Sequence, residues 1–185
     1  MLNINTRIFE FINNAVGYYR PLDIIFIVAT SYITLLIVGG IVAGYFGNAF
    51  LRAKGEGRGI ILKHSMFITA TLFVTYVVVA VTKIFVHYPR PFSTLTNLHV
   101  LITLPNDYSF PSGHAALTMA FATAVYFYNK QLGTVLFAFA FVVGLARIYV
   151  GVHYPLDVGV GFLLGFGIVK LFGHFLIKKE TLKLQ

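Results

Sequence analysis

Residues 66–85, MFITATLFVTYVVVAVTKIF, carry no charge until Lys83, at their far end. At about 1.5 Å per residue, some twenty helical residues cross the roughly 30 Å hydrocarbon layer of a bilayer. Working outward, comparable apolar runs occupy residues 22–48, 112–128, 132–150 and 156–177. The second span itself starts anywhere between Ile60 and Met66. Inside hydrocarbon every backbone polar group must be paired within the protein, and helices do this alone. The expectation is an all-α, polytopic transmembrane helical bundle of about five spans.

Composition agrees. The chain has 185 residues, of which 58% are hydrophobic and 11% charged, and its mean hydropathy is +0.82. That excludes a water-soluble domain, a solenoid and a disordered chain. The net charge of +8 comes from short clusters between apolar runs, not from a basic face, so no nucleic-acid partner is expected. No cysteine is present, which leaves neither a disulfide framework nor a thiolate site. The first twenty residues do not resemble a cleavable signal peptide. Residues 3–18, NINTRIFEFINNAVGY, place Ile4, Ile8, Phe11, Ile12 and Ala15 on one helical face, as in an interfacial amphipathic helix.

The loops orient the bundle. Residues 49–64 carry Arg52, Lys54, Arg58 and Lys63, and the C-terminus carries Lys178, Lys179 and Lys183. Placing these and Lys130 inside puts eight of the fourteen Lys and Arg on the cytoplasmic side, as the positive-inside rule requires. The long 87–111 loop and the 150–155 turn then lie outside. The loop's apolar centre, Leu95 to Leu104, is too short to span. Its length marks it as functional.

Three cations remain outside without a topological reason: Lys83, Arg90 and Arg147. A charge near hydrocarbon costs roughly 2.5–3.5 kcal/mol on insertion scales, so three converging ones require an anion. Asp157 alone does not balance them. Two guanidinium forks and an ammonium suit a phosphate group, and no cluster of Cys or carboxylates offers a metal site. Pro111-Ser112-Gly113-His114 opens a span, adding the free N–H groups of a helix start, with Gly113 allowing close approach. His153 and Asp157 lie four apart, so the carboxylate orients one imidazole nitrogen and leaves the other nucleophilic. His114 is then the acid. In this scheme His153 takes the phosphoryl group, His114 protonates the leaving oxygen, and no cofactor is needed.

Lys83-x6-Arg90-Pro91, Pro111-Ser112-Gly113-His114 and Arg147-x5-His153-x3-Asp157 resemble, in order and spacing, the three motifs of the type 2 phosphatidic acid phosphatase (PAP2) superfamily. The resemblance covers residues 83–157 directly, within a single domain over 1–185. It implies a PAP2/vanadium-chloroperoxidase-like helical core and metal-independent dephosphorylation of a membrane-embedded lipid phosphate. Lys83, Arg90 and Arg147 would bind the phosphate, with hydrogen bonds added from Ser112 and Gly113. His153 would be the nucleophile, His114 the acid and Asp157 the orienting carboxylate. The third motif normally begins Ser-Arg; here Ala146 precedes Arg147, removing one hydroxyl.

The stretches Tyr88-Pro89-Arg90-Pro91-Phe92 and Val152-His153-Tyr154-Pro155-Leu156-Asp157 resemble bacterial undecaprenyl-diphosphate phosphatases of the superfamily. Enzymes acting on phosphatidylglycerophosphate, phosphatidic acid or lipid A share the motifs, as does a lipid phosphotransferase. That resemblance implies a bacterial cytoplasmic membrane, in which the loop charges put the active site on the periplasmic or extracellular face and the C-terminus in the cytoplasm. A lipid transporter, the reading from a different class, calls for repeated broken helices, and none is evident. His64, His87, His99 and His174 read as structural. The glycines Gly39, Gly40, Gly44, Gly159, Gly161, Gly165 and Gly167 read as sites of close helix packing, and the Gly161/Gly165 GxxxG pair is a weak sign of a homodimer.

Overall fold

A computed structural model describes residues 4–181, with side chains other than those of 32–33 and 175–181. The basic tail therefore lies outside the described residues, Lys178 and Lys179 in their side chains and Lys183 altogether. Every regular element described is a helix: α1 (Ile4–Asn13), α2 (Arg20–Ala29), α3 (Tyr32–Arg52), α4 (Glu56–Val86), α5 (Pro91–Thr94), α6 (Gly113–Tyr126), α7 (Lys130–Tyr149) and α8 (Pro155–Thr181).

Four helices are long and apolar enough by themselves to cross a membrane, those containing residues 34–52, 56–86, 130–149 and 155–174. The remaining predicted span, 112–128, forms α6. Its 14 residues extend about 21 Å at 1.5 Å each, short of the hydrocarbon thickness. It lies in the middle of the bundle, packed against α4, α7 and α8, with Ala115, Ala116, Ala120, Ala122 and Ala124 wholly buried. A helix wrapped by protein does not have to match the lipid.

The small residues of α6 meet small residues of α8. A methyl group added at Gly165 would lie 2.1 Å from the Ala116 carbonyl oxygen, and one at Gly161 would lie 2.7 Å from that of Ser112. The GxxxG face is thus occupied within the chain. Gly39, Gly40, Gly44, Gly159 and Gly167 have no neighbour within 4 Å of such a methyl, so the close packing expected at those five is not there.

The apolar run 22–48 does not form one helix. Ser31 caps a new one, its Oγ accepting from Thr34 N at 3.2 Å, and this serine separates α2 from α3. The first long span accordingly begins near residue 34. In α1, Ile4, Ile8 and Phe11 are exposed while Phe9 and Asn13 are buried, so the apolar face points away from the bundle, as an interfacial helix requires. Inward, Phe9 packs with Ala115, Ile148, Tyr154 and Val158. Asn13 Nδ2 donates to the carbonyls of His99 and Tyr149, each at 2.8 Å, and its Oδ1 accepts from His99 N at 2.8 Å. Asn5 Oδ1 accepts from Leu156 N at 2.9 Å, capping α8 from the other end of the sequence.

Candidate active site

Each motif residue sits where a helix starts or stops. Lys83 is in the last turn of α4, which ends at His87 in the left-handed conformation, φ 49°, so the chain turns back at once. Arg90 is the N-cap of α5, ahead of Pro91 at the first helical position, a place proline favours. Ser112 is the N-cap of α6 and His114 lies in its first turn; Arg147 lies in the last turn of α7 and Asp157 in the first of α8. The start of α6 is tied to α8 by Ser112 N donating to the Asp157 carbonyl at 3.0 Å. The turn bearing His153 is tied to α7 by His153 N donating to the Arg147 carbonyl at 3.2 Å.

Arg90 is the hub. Its Nη1 donates to the Val152 carbonyl at 2.8 Å and lies 3.3 Å from His153 Nε2. A guanidinium has only donors, so Nε2 is the acceptor and the proton of the neutral ring sits on Nδ1. That nitrogen lies 3.3 Å from Ser109 Oγ and 3.4 Å from Asp157 Oδ2. Ser109 Oγ donates to Asp157 Oδ2 at 2.5 Å, and Tyr154 N donates to the same oxygen at 2.9 Å. The expected pairing of His153 with Asp157 is present, but a serine hydroxyl stands within reach of both.

His153 is 1% exposed. Burial first, then the charges of Arg147, Arg90 and Lys83, hold its imidazole well below the usual histidine range. At neutral pH it is uncharged, with the Nε2 lone pair facing the cations. His114 lies within electrostatic reach of His153, Arg147, Lys83 and Arg90. Ser112 Oγ does not cap its own helix. It is buried without a hydrogen-bond partner, so its hydroxyl is left for a ligand. At Gly113 an added methyl would touch only Val79, at 3.6 Å, so neighbouring protein does not demand a glycine there. Among the described residues no three His, Asp or Glu side chains are placed to hold a metal ion.

Three site residues were not read from the sequence. Asp107 bridges the two cations, with Oδ2 2.7 Å from Lys83 Nζ and Oδ1 2.6 Å from Arg90 Nη2. Burial would raise its pKa, but the hydrogen bond and charge of Lys83 and the charge of Arg90 outweigh that and hold the carboxyl below the usual range. The unbalanced positive charge was its signal: Asp107 is the only acid in the 87–111 loop. Ser109 is the second. Thr30, at the break between α2 and α3, is the third; it is buried and accepts from Arg147 Nη1 at 2.7 Å. It supplies a hydroxyl to the arginine whose preceding residue is Ala146.

The PAP2 superfamily profile matches residues 64–180. The chain is 45% identical over 76 residues to the bacitracin transport permease protein BcrC of Bacillus licheniformis, a match covering 41% of this chain and 37% of that relative. It is 32% identical over 156 residues to the undecaprenyl-diphosphatase BcrC of Bacillus subtilis strain 168, covering 84% of this chain and 75% of that one. Among solved structures, that of Aquifex aeolicus LpxE superposes with a TM-score of 0.73 at 29% identity, over 92% of this chain and 94% of LpxE. With the three motifs gathered around one buried histidine, and the superfamily profile running from α4 into α8, this chain belongs to the PAP2 superfamily.

Proposed function

We propose that this integral-membrane PAP2 phosphatase removes the terminal phosphate of a polyprenyl diphosphate, undecaprenyl diphosphate in the first instance, at the outer face of a bacterial cytoplasmic membrane. The observation that carries the chemistry is the placement of His153 Nε2, neutral and 3.3 Å from Arg90. The relative named undecaprenyl-diphosphatase, matched over 84% of this chain, supports the substrate. The basic 49–64 loop supports the orientation.

In the first step His153 Nε2 forms a bond to the terminal phosphorus while the bond to the bridging oxygen breaks. His114, which takes up a proton as the anionic diphosphate binds beside it, gives that proton to the bridging oxygen, releasing the polyprenyl phosphate. The imidazolium formed donates from Nδ1 toward Ser109 and Asp157, whose carboxylate stabilises the charge. Lys83, Arg90 and Arg147, with Ser112 and the N–H groups opening α6, hold the three equatorial oxygens, where charge builds up in the transition state. In the second step water attacks phosphorus, His114 takes its proton and the P–N bond breaks, returning the electron pair to Nε2 and releasing inorganic phosphate. No metal takes part. Residues 1–185 act as one unit, since α1 and α2 both contact the elements that carry the site.

The test is phosphate release, in chelator, from detergent-purified protein offered undecaprenyl diphosphate, phosphatidylglycerophosphate, phosphatidic acid and lipid A. Preferential release from the prenyl diphosphate, lost in His153→Ala, is expected. Preference for a glycerolipid or lipid A would overturn the substrate and leave the chemistry. Near-normal release by both His153→Ala and Lys83→Ala would overturn the mechanism.

A further inference from the structure

Lys83 and Arg90, two of the groups assigned to the substrate phosphate, already hold an anion belonging to the protein. Each grips one oxygen of the Asp107 carboxylate, at 2.7 and 2.6 Å. Arg90 is buried and Lys83 partly buried, with side-chain exposures of 4% and 12%, while Asp107 is 54% exposed. The carboxylate therefore occupies the solvent-facing side of the cation pair, from which a headgroup arrives. Its removal does not dismantle the donors. Arg90 Nε still donates to the Asp107 backbone carbonyl at 2.7 Å, Arg90 Nη1 to that of Val152, and Lys83 Nζ to that of Tyr108. The side chain can leave by rotating while the loop backbone keeps both cations in place.

We propose that Asp107 is a built-in competitor that sets an affinity threshold at the site, so that the singly charged phosphodiesters of the surrounding membrane do not occupy it while a terminal phosphate does. The inference rests on the phosphatase reading above. A lipid phosphatase works in a bilayer crowded with phosphodiester headgroups, each carrying one negative charge and two free oxygens. Those headgroups fit the same cations and would block His153 without reacting. A tethered carboxylate also carries one charge and two oxygens, at the high effective concentration of an intramolecular group, so a singly charged diester gains little by displacing it. A terminal phosphate carries about 1.5 to 2 charges at neutral pH and three acceptor oxygens, so it offers the two cations more than the carboxylate does. Asp107 thus taxes all anions alike and leaves only the more highly charged ones bound.

The test is calorimetric titration of the detergent-purified full chain with inorganic phosphate, with and without phosphatidylglycerol in the micelles. If the carboxylate holds the cations about nine-tenths of the time, its loss tightens apparent phosphate binding about ten-fold. Asp107→Asn is therefore expected to bind phosphate about ten-fold more tightly, and phosphatidylglycerol is expected to compete in the variant but not in the wild type. Asp107→Glu, which keeps the charge, is expected to behave as the wild type. If Asp107→Asn does not purify folded, Asp107→Ser carries the same expectation. Phosphate binding by the neutral variant no tighter than wild type, or equal competition by phosphatidylglycerol in both, overturns the proposal. Turnover of undecaprenyl diphosphate is followed in the same preparations. Its absence would sink the substrate reading, while phosphate binding still decides the role of Asp107.

Discussion

His153 does two jobs with two nitrogens, and its surroundings assign them. Arg90 can only donate, which makes Nε2 the acceptor; Ser109 and Asp157 then receive Nδ1. Ring-nitrogen NMR of labelled protein is expected to show His153 as the neutral Nδ1–H tautomer down to about pH 6, where an ordinary histidine is mostly charged. A signal charging through the ordinary range would show that burial and the three cations do not hold it neutral. Ser109 is legible only in three dimensions, because a serine in an irregular loop has no pattern to announce it. A hydrogen bond to a charged group contributes about 1.5–3 kcal/mol, which is roughly ten- to a hundred-fold in rate if lost in the transition state. Ser109→Ala is expected to lower kcat by that factor and leave KM little changed; a change confined to KM would remove Ser109 from the relay. Asp107 has a consequence for stability as well. Its folded-state pKa is depressed, so its contribution is present above the unfolded carboxylate value and is lost as pH falls through the folded one. The wild type is expected to unfold at higher temperature than Asp107→Asn at neutral pH, with the gap closing below about pH 4. A gap unchanged in acid would remove the ion pairs as its cause.

At the scale of elements, apolar runs are read by length and helix ends by their polar residues, and each reading has its own limit. The run 22–48 is long enough to span, yet Ser31 and Thr34 make a cap inside it and divide it. Residues 112–128 read as a span because they are apolar; α6 is shorter than the hydrocarbon layer and owes that character to burial in protein as well. The glycines show the same limit: Gly165 and Gly167 look alike in sequence, but only the first lies against another backbone. A methyl at Gly165 must displace the Ala116 carbonyl or the Ala120 amide, at 2.1 and 2.9 Å, and overpacking of this kind costs about 1–3 kcal/mol. Gly165→Ala is expected to lower the unfolding temperature, while Gly167→Ala, with open space around it, is expected to leave it unchanged or raise it. Equal losses in both would mean that α6 and α8 do not approach as described.

At the scale of the whole molecule, the site is assembled from chain segments more than a hundred residues apart. Thr30 reaches Arg147, Asp23 Oδ1 lies 2.6 Å from the Tyr149 hydroxyl, and Asn13 joins His99 to Tyr149. The motif residues were legible because chemistry restricts their types and spacing. The N-terminal supports were not, because Thr30, Asp23 and Asn13 acquire their roles only from where the chain returns. Orientation remains a property of the whole charge pattern, and the absence of cysteine makes it directly measurable. Asn106, Lys54 and Lys130 are all exposed; the first lies in the loop that carries Asp107, the other two at the opposite helix ends. With the basic loops inside, single replacements Asn106→Cys, Lys54→Cys and Lys130→Cys should differ in intact cells. Only the first should react with a membrane-impermeant maleimide, and all three should react once the membrane is opened. Labelling of Lys54→Cys or Lys130→Cys in intact cells, with Asn106→Cys protected, would invert the protein and move phosphate release to the cytoplasm, where a diphosphate on the outer leaflet could not reach His153.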